Sequence, residues 1–322
     1  MELVWVSDME DNILESQLID IIKDSRIPED IKRAKLEMLI NLGVDMNTQD
    51  NEGNSVMYLL AVSQNKEMID FLLELGVDVD IRDSNGMTAL MRVSILKNKE
   101  MVDFLLERGA DIDAKDSNSW TALMNASLNN DEEMVDFLLE RGAFIEAVCK
   151  KGWTSLMVAS INGYKEIAKK LIEKRAYIDA RDNEGRTSLQ WASSRNHVGI
   201  VELLIDNDAD INIKNNSGRT ALISASECGY KELVEILIKK GADVNLKNND
   251  GNSALMIASS NDNKEIVEML IKNEADVLAK NNLGKTAIDL AGYEETRKAI
   301  IKAVKKRNNE TGEKIVIKGF ER

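Results

Sequence analysis

Apolar residues in this chain come in two alternating groups, each with the spacing of one helix face. Within Asn215 to Lys247, Leu222, Ala225 and Ser226 mark the inward stripe of a short helix. Leu233, Val234, Leu237 and Ile238 then recur at i, i+1, i+4 and i+5, which predicts a second helix with its own apolar face. The polar residues between these groups punctuate the chain. Asn215-Asn216-Ser217-Gly218 predicts a turn, with Gly218 free to take positive φ at the tip. Thr220 is placed to cap the first helix through its hydroxyl, Gly229 to end it and Gly241 to stop the second. Ala242-Asp243-Val244-Asn245 leads out to the next turn.

The same frame returns every 33 residues. Gly53, Gly86, Gly152, Gly185, Gly218, Gly251 and Gly284 keep the step, and Ser119 alone breaks it. The hydroxyl two residues later never does: Ser55, Thr88, Thr121, Thr154, Thr187, Thr220, Ser253, Thr286. Repeats begin at Asp50, Asp83, Asp116, Cys149, Asp182, Asn215, Asn248 and Asn281. Ahead of them, Ile31 to Leu42 has helical periodicity, and Gly43-Val44-Asp45-Met46-Asn47 matches Gly76-Val77-Asp78-Val79-Asp80 one period on. A further helix is expected over Glu15 to Lys23, with Pro28 breaking the chain between the two. The division that follows is a capping segment over 1–49, seven full repeats over 50–280, a degenerate closing repeat over 281–304 with a helix from Tyr293 to Val304, and a basic, flexible tail over 305–322 that starts at Lys305-Lys306-Arg307. Ile315-Val316-Ile317 in that tail reads either as a short strand or as disorder.

Asp-x-x-Gly-x-Thr-x-Leu at this period resembles the ankyrin repeat, a β-turn followed by two antiparallel helices. The resemblance covers roughly residues 31 to 304 and implies an all-α solenoid of helix–turn–helix units joined by β-hairpin-type turns. Two departures stand out. The family's proline after the capping threonine is replaced by residues such as Val56, Ala89 and Ser155, which are acceptable at a first helical position. The family's histidine two residues further on is replaced by Tyr58, Met91, Met124, Met157, Gln190, Ile223, Met256 and Asp289. The family's hydrogen bond between that histidine and the threonine is therefore expected to give way to van der Waals packing, which methionine suits. The one histidine of the chain, His197, opens a second helix, as histidine commonly does in the family.

Charge and chemistry narrow the function. A formal net charge of −14 and a pI near 4.8 argue against nucleic acid, which needs a basic face. Cys149 and Cys228 lie in different repeats, so no disulfide framework or metal-ligand spacing exists, and a reducing, cytoplasmic setting is expected. A single histidine with no paired nucleophile rules out a catalytic triad. Runs such as Asp78 to Asp83 lack the central glycine and closing glutamate of a calcium loop. Met1 to Asn12 lacks the basic and apolar regions of an export signal, and no window of the chain approaches a membrane span. The expectation is a non-enzymatic monomer without cofactor, metal, nucleic acid or membrane, whose partner is a protein.

In the ankyrin family, partners contact the hairpin tips and the exposed side of the first helices, the concave face. The residue after the turn glycine is Asn54, Met87, Trp120, Trp153, Arg186, Arg219, Asn252 or Lys285. Near the end of the first helices the series is Val62, Ile95, Leu128, Ile161, Ser194, Glu227, Ser260. An apolar strip is therefore expected across repeats two to four, formed by Met87, Ile95, Trp120, Leu128, Trp153 and Ile161. The alternative is that these side chains, with Met91, Met124 and Met157, pack between neighbouring repeats. Phe144 and Tyr177 replace an aspartate and either extend the strip or pack against each other. Further along the face turns basic through Arg181, Arg186, Arg195, Lys214, Arg219 and Lys247, either paired with turn aspartates or available to an acidic end of a partner. The second helices carry acid at Glu100, Asp103, Glu107, Glu132, Glu133, Asp136 and Glu140, a solvated face or a dock for a basic protein. The leading reading is a protein-interaction scaffold. An acidic inhibitor or immunity-type protein that blocks a basic enzyme, and a secreted microbial effector acting in a host cell, are its alternatives.

Overall fold

The computed structural model describes residues 14–311, with side chains described through residue 306. Ile315 to Ile317 and the first residues of the chain lie outside that range. The described chain is helical, with isolated antiparallel bridges at Gln49–Ser55 and Lys247–Ser253. It divides into two units, residues 1–150 and 151–322.

The first unit opens with α1 over 14–23 and α2 over Glu29–Asn41, then pairs α3 (Val56–Val62) with α4 (Lys66–Glu74), α5 (Ala89–Ile95) with α6 (Lys99–Glu107) and α7 (Ala122–Leu128) with α8 (Glu132–Glu140). The second pairs α9 (Ser155–Asn162) with α10 (Lys165–Glu173), α11 (Ser188–Ser194) with α12 (Val198–Asp206), α13 (Ala221–Cys228) with α14 (Lys231–Lys239), α15 (Ala254–Ser260) with α16 (Lys264–Lys272) and α17 (Ala287–Leu290) with α18 (Glu294–Thr311). The closing helix continues past Val304, where the sequence pattern placed its end. Within each unit the first helices of successive repeats pack on one another.

The first helices from α3 to α15 all start the same way. The hydroxyl of Ser55, Thr88, Thr121, Thr154, Thr187, Thr220 or Ser253 accepts the N–H three residues on. The turn before it is built by the residue that opens the repeat. Asp83 Oδ1 accepts the N–H groups of Asn85 at 2.8 Å and Met87 at 2.9 Å, and Asn248 Oδ1 accepts those of Asp250 and Asn252 at 3.0 and 2.9 Å. Turn then bonds to turn: Ser84 N donates to Gly53 O, Asn216 N to Glu184 O, and Asn249 N to Ser217 O. Glycine at the tip sits at positive φ, and Ser119 is held at φ 63° in the same place.

The core is as periodic as the sequence. Met68, Ile69 and Leu72 in α4 are buried, as are Leu233, Val234 and Leu237 in α14. Each such side chain contributes roughly 1.5–3 kcal/mol by leaving water. Met91, Met124, Met157 and Met256 are fully buried too, so packing does stand where the family has histidine. Asp289 is exposed and accepts the Thr286 N–H and hydroxyl, and Gln190 departs from packing in another way. Its Nε2 donates to Ile213 O and Arg219 O of the next repeat, both at 2.8 Å, and its Oε1 accepts the Thr187 N–H. A polar link between repeats persists there through the amide, which packing alone did not anticipate. His197 is structural: its Nε2 lies 3.1 Å from Ile161 O, and its ring passes so close to Gly163 that a side chain there would collide.

A second ladder ties the loops after the second helices. Asp111 N donates to Asp80 Oδ2, Phe144 N to Asp113 Oδ1, Asp210 N to Asp179, and Asp243 N to Asn212 Oδ1. Burial raises the Asp80 and Asp179 carboxyls from their ordinary value, against the lowering effect of these bonds. At the capping end, Lys23 Nζ reaches Asp50 Oδ2 at 2.7 Å. Burial works to raise the Asp50 carboxyl, but the ammonium of Lys23 and donors from Asn54 and Glu52 outweigh it and hold the group well below the usual carboxylate range.

Candidate functional site

The face made by the turn tips and first helices is set by where the opening carboxylate points its second oxygen. In the first unit Asp83 is buried, and its Oδ2 accepts Arg92 Nε at 2.6 Å. The Arg92 guanidinium lies 5.6 Å from the Tyr58 ring centroid. In the second unit Asp182 occupies the same place and grips two side chains at once. Its Oδ2 accepts Arg186 Nε and Trp191 Nε1, each at 3.1 Å, while Oδ1 accepts the N–H groups of Glu184 and Arg186 at 2.9 and 2.8 Å.

That carboxylate organises an aromatic cluster. The Arg186 guanidinium stacks 3.8 Å from the Trp191 ring centroid, and its far end pairs with Glu184 at 2.8 Å. Trp191 meets Trp153 edge to face, with centroids 5.6 Å apart and planes at 83°. The Lys151 ammonium lies 4.7 Å from the Trp153 centroid. Trp153, Trp191 and Arg186 are each half-buried, whereas Asp182 is buried beneath them. The indoles are thus pinned by geometry yet still reach solvent.

Of the residues expected on this face, Met87 is buried at 8% exposure, Ile95 and Trp120 are half-buried, and Leu128 is 39% exposed, all in the first unit. Met91, Met124 and Met157 belong to the core rather than to an exposed strip. Trp153 and Ile161 are half-buried in the second unit. The structure joins Trp153 to Arg186 through Trp191, a residue absent from the expected set. Arg186 and Arg219 also line one open groove, where the Arg219 guanidinium pairs with Glu227 through two bonds. Phe144 and Tyr177 are 57% and 63% exposed.

The basic tips resolve into two kinds. Arg181 donates to Gly185 O at 3.1 Å and Lys214 O at 2.7 Å, and Lys247 donates to Lys280 O at 2.9 Å, so these cations staple neighbouring turns. Arg195 is exposed and makes no ion pair among the described residues. The acid on the second helices is largely engaged one repeat away: Lys66 meets Glu100 at 2.5 Å, Lys99 meets Glu133 at 2.9 Å, and Arg108 and Arg141 pair with Asp70 and Asp103. Arg108 also covers the Phe104 ring at 3.4 Å. Among the described residues, no helix is long and apolar enough to cross a membrane.

Comparison with known proteins agrees with the architecture. A family model described as ankyrin repeats (3 copies) matches residues 31–116, 113–182 and 177–248, and one described as ankyrin repeats (many copies) matches residues 237–291. No curated protein matches the chain. Among solved structures, the ankyrin repeat domain of Bcl-3, described as a unique member of the IkappaB protein family, is similar over 68% of this chain and 100% of that one, at 26% identity with a TM-score of 0.63.

Proposed function

Because the chain belongs to the ankyrin-repeat family, whose repeats are protein-interaction modules, we propose that it is a non-enzymatic, cytoplasmic protein that binds a protein partner through its turn tips and first helices. The observation that carries this reading is the Trp153–Trp191 pair. Two large indoles stand half-buried on this face, and at the Trp191 position the other repeats hold residues such as Arg92, Asn125, Ser224 or Ile257. Tryptophan and arginine dominate the energetics of interfaces. Here Trp191 and Arg186 are held by Asp182 before any partner arrives, so little of their side-chain entropy is lost on binding. In the first unit, Trp120, Ile95 and Leu128 supply the corresponding apolar contacts.

A second reading, an acidic inhibitor of a basic enzyme, draws on the net charge of −14. Much of the second-helix acid is already paired with lysine and arginine of adjoining repeats, so the first reading is preferred. The test is affinity capture from the source organism's lysate with the native chain, Trp120→Ala, Trp153→Ala and the double variant, each checked for an unchanged helical melt. Loss of a captured protein in the Trp153 or Trp120 variants supports the face. A partner kept by all four chains overturns it.

A further inference from the structure

We propose that the Trp153–Trp191 cluster of the second unit selects an acidic peptide segment with an aromatic or large apolar anchor, which rests on the protein-binding reading above and narrows it to one chemistry. An aromatic ring is negative on its faces and positive around its edge. A bare tryptophan pair therefore invites a cation. This pair is not bare. Lys151 sits 4.7 Å over the ring of Trp153 and Arg186 sits 3.8 Å over that of Trp191, so this chain's own cations already engage both rings. A partner lysine would have to displace one of them and would meet like charge while doing so.

What the cluster still offers is positive. The Arg186 guanidinium is balanced by two carboxylates, Asp182 and Glu184. Lys151 and Arg195 are exposed and have no carboxylate partner among the described residues. Arg195 stands four residues after Trp191, one helical turn along the same face. The indole N–H of Trp191 is spent on Asp182, and Trp153 forms no such bond among the described residues, leaving a donor for an acceptor on a partner. Together these groups set uncompensated positive charge around a half-buried apolar surface formed by the two indoles. On a protein of net charge −14 such a patch is a local exception, and it complements a carboxylate placed beside an apolar anchor.

The test is fluorescence anisotropy of short labelled peptides against the full chain. One peptide mixes glutamate and aspartate with phenylalanine and leucine. A second replaces every acid by lysine, and a third keeps the acids but replaces the apolar residues by serine. The expected result is that the first binds best, and that Trp153→Ala and the charge reversal Lys151→Glu/Arg195→Glu each weaken it about tenfold or more, about 1.4 kcal/mol. Both reversed side chains are exposed, and an unchanged thermal melt confirms that the variants fold. Equal or tighter binding of the lysine peptide overturns the proposal. So does equal binding of the serine peptide, indifference to charge reversal, or failure of all three to bind. The capture experiment is separate: a partner lost with Trp153→Ala while the acidic peptide is ignored keeps the protein-binding reading and sinks this one.

Discussion

Removing the Asp182 carboxylate is expected to destabilise the second unit by about 4 kcal/mol. Four donors converge on this buried group: the N–H groups of Glu184 and Arg186 on one oxygen, and Arg186 Nε and Trp191 Nε1 on the other. Bonds to a charged acceptor are worth about 1.5–3 kcal/mol each, but the sum is an upper bound, since exposed donors regain water once the carboxylate is gone. About 1 kcal/mol per bond is the net figure for a site this close to the surface. Asp182→Asn separates the two halves. Its amide oxygen keeps the turn, as Asn215 does for Ser217 N and Arg219 N at 3.0 Å each, while its NH2 group confronts two donors. The expected loss is about 2 kcal/mol for the pair of side-chain bonds. Urea unfolding followed by circular dichroism measures this as a shift in midpoint at constant slope. Hydrogen exchange at residues 184–195 assigns it to the repeat, because arrays of this kind open locally. Equal losses for Ala and Asn, or an Ala loss under about 0.5 kcal/mol, would refute the account.

Three other sets of substitutions follow from local physics. Ser119 and Arg175 hold φ of 63° and 69° at positions where other repeats place glycine, so Ser119→Gly and Arg175→Gly should each stabilise by about 1 kcal/mol, read as a higher urea midpoint. Ser160, Ser193 and Ser226 bury hydroxyls with no partner among the described residues, and Ala at each should stabilise by about 1 kcal/mol, whereas Ser94→Ala, which loses a 2.7 Å bond to Leu90 O, should not. Asp179→Asn mimics Asn212 one repeat on. Burial raises the Asp179 carboxyl, so its ionised form costs stability at neutral pH; the gain from Asn should be full there and fade as pH falls through the raised value toward the ordinary carboxylate range. A gain that is independent of pH in equilibrium unfolding contradicts that assignment.

The repeat frame was legible because each of its parts is local. A carboxylate or amide that serves the N–H groups two and four residues ahead, and a hydroxyl that caps three residues ahead, are fixed by spacing within one repeat. Most of the features that stayed hidden are interactions between repeats. The acidic second helices looked unpaired because Glu100 finds Lys66 and Asp103 finds Arg141, at separations of 34 and 38 residues that mean nothing until one helix is laid beside the next. Met87 was expected on the binding strip, yet it is buried at 8% exposure. Gln190 was set among residues expected to pack, yet its amide reaches two carbonyls in the following repeat.

Trp191 is the instructive omission. Its series, Leu59, Arg92, Asn125, Val158, Trp191, Ser224 and Ile257, is as easy to read as the one containing Trp153, but it reads as helix interior. The position becomes a display site only because the turn carboxylate nine residues earlier has an oxygen to spare. One oxygen of Asp83 or Asp182 builds the turn, and the other grips what the first helix offers, Arg92 in one unit and Trp191 in the other, where the turn's own Arg186 joins it. The grip does not touch the core residues of the repeat, so the displayed side chain varies from repeat to repeat without cost to the stack. A rigid indole held this way pays its ordering entropy at folding, not at binding. Asp50 spends its second oxygen on Asn54 and Lys23 instead, which places the preorganised part of the face at the repeats of Asp83 and Asp182.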